Sequence, residues 1–208
     1  MSAPRVVLVL RGRLDGVRAW ARSGLVPVWI VPDVAWTLVV PAGPAESAPP
    51  YDDPVALLGG RPVPGRLRPV MCFVADGPRA AVTLQRGRRQ DARWLGWTGE
   101  IGPHRVDDLP LASPDLLAEL AGVGAQARTD RRADLREALR PDGRSGADVV
   151  DDLLRALGLP GAGLTLGAVA AGDLPGAVRI EPDDKLVQRF DRYAADEARL
   201  SAQLEEGQ

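Results

Sequence analysis

The sequence predicts an α+β protein with a mixed, mostly antiparallel sheet in its N-terminal half and helices in its C-terminal half. Short apolar runs bounded by turn residues dominate residues 1–105. Longer segments with helical spacing and capping residues dominate residues 106–208. A group of strands followed by a group of helices is typical of α+β folds.

The two halves also carry opposite net charge. Residues 1–105 hold fourteen Arg and eight acidic residues, a net charge of +6, whereas residues 106–208 hold eleven Arg, one Lys and twenty acidic residues, a net charge of −8. We therefore divide the chain into a strand-rich basic α+β domain, 1–105, and a helix-rich acidic region, 106–208, expected to pack on the first as one unit. The charge split indicates either two faces that dock on each other or two surfaces that select different partners.

The composition limits the class of protein. Twenty-five Arg against one Lys, with no Asn, is typical of a GC-rich bacterial genome, so a surface rich in Arg is weak evidence of a basic binding site. No apolar run approaches the roughly 18 residues of a membrane span, and Val6–Leu10 is too short for a signal-peptide core. The single cysteine, Cys72, excludes an internal disulfide. These features predict a cytoplasmic protein with no membrane partner.

The first half begins with a predicted β-α-β-β unit. Its segments are Arg5–Leu10, the helix Leu14–Arg22, and a hairpin of Val26–Val31 and Ala35–Val40. A loop rich in Pro and Gly, Pro41–Arg68, follows, with one helical turn at Asp53–Leu58; connections this long are often functional or mobile. A three-stranded meander then comprises Pro69–Ala75, Ala80–Arg86 and Arg93–Thr98.

The second half contains four predicted helices. Ser113-Pro114-Asp115 is a helix start, with an N-cap serine and proline at the first helical position. The later helices are Ala125–Leu139, Asp148–Leu157 and a last one from Pro182 to about Glu205. Between them Gly161–Ile180 is ambiguous, with short strands possible at Leu164–Leu166 and Ala177–Ile180.

One candidate site is a hairpin tip at residues 86–97. It combines four arginines with two tryptophans: Arg86, Arg88, Arg89, Arg93, Trp94 and Trp97. Arginine binds phosphate through paired hydrogen bonds and an exposed tryptophan stacks on a base, so the hairpin is a candidate surface for nucleic acid or another partner. Hairpin tips are ordinarily charged, however, and the two tryptophans, three residues apart on a strand, face opposite sides, so at least one is expected in the core.

Catalytic and metal-binding patterns are weak. A thiol site needs Cys72, His104 and an acid such as Asp107 or Asp108, but Cys72 lies in an apolar strand, where cysteine is usually a buried hydrophobe. One Cys and one His do not supply the ligands of a zinc site. Glycine-rich segments lack the ending of a phosphate-binding P-loop. We therefore predict no catalytic residue, no metal and no cofactor.

The last helix is the second candidate site. Apolar residues recur along it at a spacing of three to four, interrupted by Glu197: Leu186, Phe190, Tyr193, Leu200 and Leu204. Packing of this stripe against the domain is favoured over self-association through a short coiled coil, because an interrupted stripe of under four heptads is a weak coiled-coil signal.

These observations favour a non-enzymatic protein–protein interaction or regulatory module. Two alternatives stay open: a nucleic-acid-associated protein that uses the Arg/Trp hairpin, and an enzyme whose site is assembled from residues scattered along the sequence. The first would show a steep dependence of binding on salt, because each neutralised phosphate releases counterions. The second would show a pocket with buried, mutually close ionisable groups.

Overall fold

A computed structural model describes residues 5–87, 92–122 and 125–206 of the chain. Its strands are β1 (Arg5–Leu10), β2 (Val28–Pro32), β3 (Thr37–Pro41), β4 (Val70–Asp76), β5 (Arg79–Gln85), β6 (Ala92–Thr98), β7 (Gly102–His104) and β8 (Val178–Ile180). They form one sheet in the order β7-β6-β5-β4-β1-β3-β2-β8, and all neighbours pair antiparallel. The predicted α+β class is confirmed.

Among the described residues, the helices follow the predicted distribution, with two in the first half and four in the second. They are α1 (Leu14–Arg22), α2 (Pro54–Gly60), α3 (Pro114–Leu120), α4 (Ala125–Ala138), α5 (Gly146–Leu157) and α6 (Asp184–Glu206). Short 3-10 turns occupy Gly65–Leu67 and Ala171–Asp173.

Local capping explains where the helices of the second half begin and end. The Ser113 side chain accepts a hydrogen bond from the Leu116 backbone N–H at the start of α3, as the sequence predicts. Ser145 and Asp148 form a capping box that begins α5 at Gly146, two residues before the predicted start. Gly158 ends α5 with φ of 63°, a left-handed conformation that favours glycine.

One face of the sheet is covered by helices α3, α4 and α5. Val9, Phe73 and Val82 project from the strands toward apolar side chains of these helices, such as Leu135 and Leu153. All five are at most 1% exposed. Residues from both oppositely charged halves of the chain therefore share this core.

The other face of the sheet is covered by α1 and α2. Val17 and Trp20 of α1 and Leu58 of α2 pack here with strand residues such as Leu8 and Ile30. This cover does not extend fully over β5, β6 and β7. Of the side chains that face the same way there, Thr83 is buried, whereas Ala81, Trp94 and His104 are half-buried.

The structure differs from the sequence prediction in three segments. The Pro41–Arg68 connection is packed against the sheet, since Leu58, Val63 and Leu67 are buried. Strand β7 was not predicted, because three residues with a central proline give no strand pattern. Within the ambiguous segment 161–180, Leu164–Leu166 lies in turns and only Val178–Ile180 forms a strand, which pairs with β2.

Candidate functional site

A groove of about 740 Å³ lies where α6 meets the end of α1 and the length of α2. Three stretches of chain line it: residues 23–26 after α1, residues 56–61 in and after α2, and residues 186–193 of α6. Cavities of about 300–1,000 Å³ are the usual size of sites that enclose a ligand or a few side chains. The groove therefore has the size of a binding site.

Trp20 and Arg61 hold α1 and α2 together at the groove. The Trp20 indole is buried, and its Nε1 donates to the Pro62 carbonyl over 3.1 Å. The Arg61 guanidinium lies over the Trp20 ring, 4.4 Å from its centroid, and donates to the Trp20 carbonyl and to Ser23 Oγ over 2.5 and 2.9 Å. Gly24 leaves the space that this guanidinium occupies, since a Cβ there would collide with it.

Arg61 brings a positive charge to the wall of the groove. Its partners are a carbonyl, a hydroxyl and an aromatic ring, and among residues 5–87, 92–122 and 125–206 it forms no ion pair with a carboxylate. Burial lowers the pKa of Arg61 to about 10. Arg189 of α6 also lines the groove. The walls are thus apolar with two arginines, a setting that favours an anionic group on whatever binds.

The first turns of α6 are anchored to the domain. The Asp183 N–H donates to the Arg22 carbonyl over 2.8 Å, and the Asp183 carboxylate caps the helix by accepting from the Lys185 N–H over 3.0 Å. Further along, the Phe190 ring packs edge to face against Tyr51, with centroids 5.0 Å apart. Val187 is buried. Phe190 of the stripe and its neighbour Val187 are therefore used for packing within the chain.

The second half of α6 extends away from this anchor. Leu186 and Phe190 are half-buried, whereas Tyr193 is 68% exposed and Leu200 is 62% exposed. Every residue from 195 to 200 is exposed. The Leu204 side chain lies outside what the structure describes, although its position belongs to α6. The apolar stripe thus runs from the groove onto a helix surface with no partner among the described residues.

The Arg/Trp hairpin is only partly described. Arg88 and Arg89 lie outside the described residues. Arg86 forms an ion pair with Glu119 of α3, and Arg93 is exposed. In the described part of the hairpin, Arg93 is therefore exposed and without an ion pair, whereas Arg86 is paired.

The two tryptophans of this hairpin lie on opposite faces of the sheet. Trp97 is 2% exposed, and its Nε1 donates to the Leu139 carbonyl over 2.9 Å. Trp94 is half-buried on the face that carries α1 and α2. The expectation that at least one of them lies in the core is therefore confirmed, and stacking on a base is open only to Trp94.

The residues of the thiol constellation are not brought together. Cys72 lies in β4, and burial raises the pKa of its thiol to about 12. His104 lies in β7, packed over Gly96 and separated from β4 by the strands β5 and β6. Three steps between neighbouring strands amount to about 14 Å. A base at that distance does not deprotonate the thiol.

Acidic clusters with the make-up of a metal site are likewise not found within the described ranges. The buried Asp151 of α5 accepts a hydrogen bond from the Gly163 N–H and lies 2.7 Å from Arg155. This carboxylate therefore fixes the turn after α5 to the helix.

The groove residues outside α6 were missed by sequence reasoning. Arg61 belongs to a Gly-Gly-Arg-Pro stretch interpreted as a loop, and residues 23–26 were interpreted only as a helix end followed by a strand. Ser23 and Arg61 lie 38 residues apart in sequence, so no local pattern connects them. The spacing of apolar residues in α6 was the one signal of this site that the sequence carried.

Across the described residues, the helices are all too short or too polar to cross a membrane. No protein-family model, no curated protein and no solved structure shows significant similarity to this chain.

Proposed function

We propose that this protein is a non-enzymatic interaction module that binds an amphipathic helix of a protein partner in the groove and along α6. The observation that carries this proposal is the apolar stripe of α6, which begins in the groove at Leu186 and Phe190 and continues to the exposed Tyr193 and Leu200. An amphipathic helix in an apolar groove is a common mode of peptide recognition. A cytoplasmic location belongs to the same proposal.

The size of the exposed side chains makes the stripe a useful contact. Burial of a large apolar side chain contributes about 1.5–3 kcal/mol. Burial of Tyr193 and Leu200 by a partner would thus supply a sizeable part of the binding free energy, and the groove beside them is already formed. Tyrosine is also among the residues enriched at the centre of protein interfaces.

The charges in the groove define the chemistry of the partner. Arg61 and Arg189 line its walls, and Arg61 has no carboxylate partner within the part of the chain that the structure describes. An acidic side chain on the partner helix would supply the missing counter-charge at a partly buried position, where such a pair is screened less than at the surface. The partner helix is therefore apolar on one face and acidic at the end that enters the groove.

A photo-crosslinking experiment tests this function. A benzoyl-phenylalanine residue replaces Tyr193, or, as a control, the exposed Glu137 on α4. We expect a covalent adduct from cells at position 193 and none at position 137. The captured protein is then purified, and its affinity for the unmodified chain is measured.

Two glycines provide matched variants for that affinity measurement. Gly60 lines the groove and Gly65 does not, and a Cβ atom added to either meets no atom within 4 Å. We expect Gly60→Phe to fill the groove and weaken binding at least tenfold, while Gly65→Phe leaves the affinity unchanged. Equal affinities for the two variants, or an adduct that forms equally at positions 193 and 137, would overturn the proposed function.

A further inference from the structure

We propose that the helix bound in the groove is α6 of a second copy of this chain, arranged antiparallel, so that two copies form a twofold-symmetric dimer. This inference rests on the proposed function and names its partner. In such a dimer the anchored half of each α6 faces the projecting half of the other. Each groove is thus completed by the partner copy, as an isologous contact requires.

The spacing of apolar residues fits this arrangement. An antiparallel pair centred between positions 196 and 197 places Tyr193 of one copy opposite Leu200 of the other. The same register places position 204 of one copy opposite positions 189 and 190 of the other, which line the groove. At 1.5 Å per residue, the 23 residues of α6 span about 34 Å, which is long enough for the helix end of one copy to reach the groove of the other.

The charges of α6 favour the antiparallel direction. Residues 184–195 carry three basic and two acidic residues, whereas residues 196–206 carry one basic and four acidic residues. The basic half borders the groove, together with Arg61. An antiparallel pair brings each acidic end to the basic groove of the other copy, whereas a parallel pair brings like ends together.

Glu197 sets the strength of the dimer. It occupies the stripe at the one position where the apolar repeat fails, and it lies beside the proposed twofold axis. The two Glu197 carboxylates of a dimer would then lie close together, and like charges at such a contact oppose association. A single helix pair is also near the lower limit of specific interfaces, about 1,200 Å². We therefore expect a dissociation constant of roughly micromolar order.

Sedimentation of the purified full chain over a range of concentrations tests the dimer. We expect the wild type to pass from monomer to dimer in the micromolar range and Glu197→Leu to lower the dissociation constant at least tenfold. Leu200→Asp should abolish the dimer. Ala195→Asp, which adds the same charge at an exposed position on the opposite side of the helix, should leave it unchanged.

Disulfide trapping tests the direction. Tyr193→Cys and Leu200→Cys are prepared separately, each in a Cys72→Ser background, and mixed under mild oxidation. We expect a disulfide between position 193 of one copy and position 200 of the other to form in preference to a bond between two 193 positions. A preference for the 193–193 bond would overturn the antiparallel arrangement.

The dimer and the proposed function fail in different experiments. If wild type and Glu197→Leu both stay monomeric at several hundred micromolar, or if Leu200→Asp remains dimeric, the dimer is overturned. The adduct at position 193 then still tests whether a different protein occupies the groove. An adduct of twice the chain's mass, obtained with purified protein alone, would instead support the second copy.

Discussion

Ser47 donates a hydrogen bond of 2.7 Å to the Asp191 carboxylate, and this bond ties the loop after β3 to the third turn of α6. Ser47 is 7% exposed, so the bond lies at the protected base of the helix. It joins the basic and acidic halves of the chain beside the groove. The position of α6, which forms one wall of the groove, therefore depends on this short polar contact as well as on the packing of Phe190 against Tyr51.

Ser47→Ala should loosen α6 without unfolding the protein. The substitution removes the donor to Asp191, and a hydrogen bond to a charged group contributes about 1.5–3 kcal/mol. We expect faster amide hydrogen exchange in the first turns of α6, while β1 and β4 keep their protection. Asp191→Asn, which retains an acceptor oxygen, is the control and should change exchange less. Equal exchange in Ser47→Ala and wild type would show that the bond does not hold the helix.

Trp97→Phe should destabilise the protein strongly. The substitution leaves the buried Leu139 carbonyl without its donor, which costs about 1–3 kcal/mol, and it adds the loss from the smaller side chain. Urea unfolding measures the change in the free energy of unfolding. Trp94→Phe on the opposite face is the control, since Trp94 is half-buried and we expect a smaller loss. A loss at Trp94 as large as that at Trp97 would contradict this account.

The Cys72 thiol should be inert in the folded protein. Burial raises its pKa to about 12, so the reactive thiolate is scarce at pH 8, and the strand position blocks access of a reagent. We expect an aromatic disulfide reagent to react only after a denaturant is added. A Leu200→Cys variant supplies an exposed thiol as the positive control. Rapid reaction of native Cys72 would mean that the helices over β4 open readily.

The stability of the α6 anchor should depend on Glu46. Slight desolvation of the exposed Glu46 carboxyl, followed by the neighbouring Glu181 and Asp184, raises its pKa above the ordinary value of 4.5, and Arg179 opposes this shift. The folded state therefore holds the proton more tightly than the unfolded state does. The stabilisation from this proton is complete below the ordinary value and is lost as the pH rises through the raised one.

Glu46→Gln provides the measurement for this dependence. We expect the variant to be more stable than the wild type at pH 7 and the difference to vanish as the pH falls below the ordinary range of the carboxyl. Thermal unfolding between pH 4 and 7 measures this difference in stability. Glu100→Gln, in the exposed turn after β6, is the control. A Glu46→Gln variant less stable than wild type at pH 7 would contradict a raised pKa of Glu46 in the folded state.

Local signals in the sequence predicted much of the fold. The serine at 113 predicted the start of α3, and short apolar runs bounded by turn residues predicted the strands of the hairpin and the meander. The order of the strands in the sheet was not predicted from the sequence. Strand β1 lies between β3 and β4, and such pairings depend on contacts distant in sequence.

The candidate site was predictable only on one side. The stripe of α6 has a period that can be recognised in a single chain, and Leu186, Phe190 and Tyr193 do line the groove. Arg61 has no such pattern, since its role comes from Trp20 and Ser23, which belong to another element. A residue whose partners are distant in sequence gives no periodic signal.

Strand β8 has a consequence for how the chain is made. Residues 178–180 pair with β2 and complete the sheet at that edge, and helices α3 to α5, which cover one apolar face, also follow residue 105. During translation, strands β1 to β7 emerge before this edge and this face are covered. An open sheet edge and an exposed apolar face both promote aggregation. Newborn chains are thus most exposed to chaperones and proteases in the interval before residue 180 leaves the ribosome.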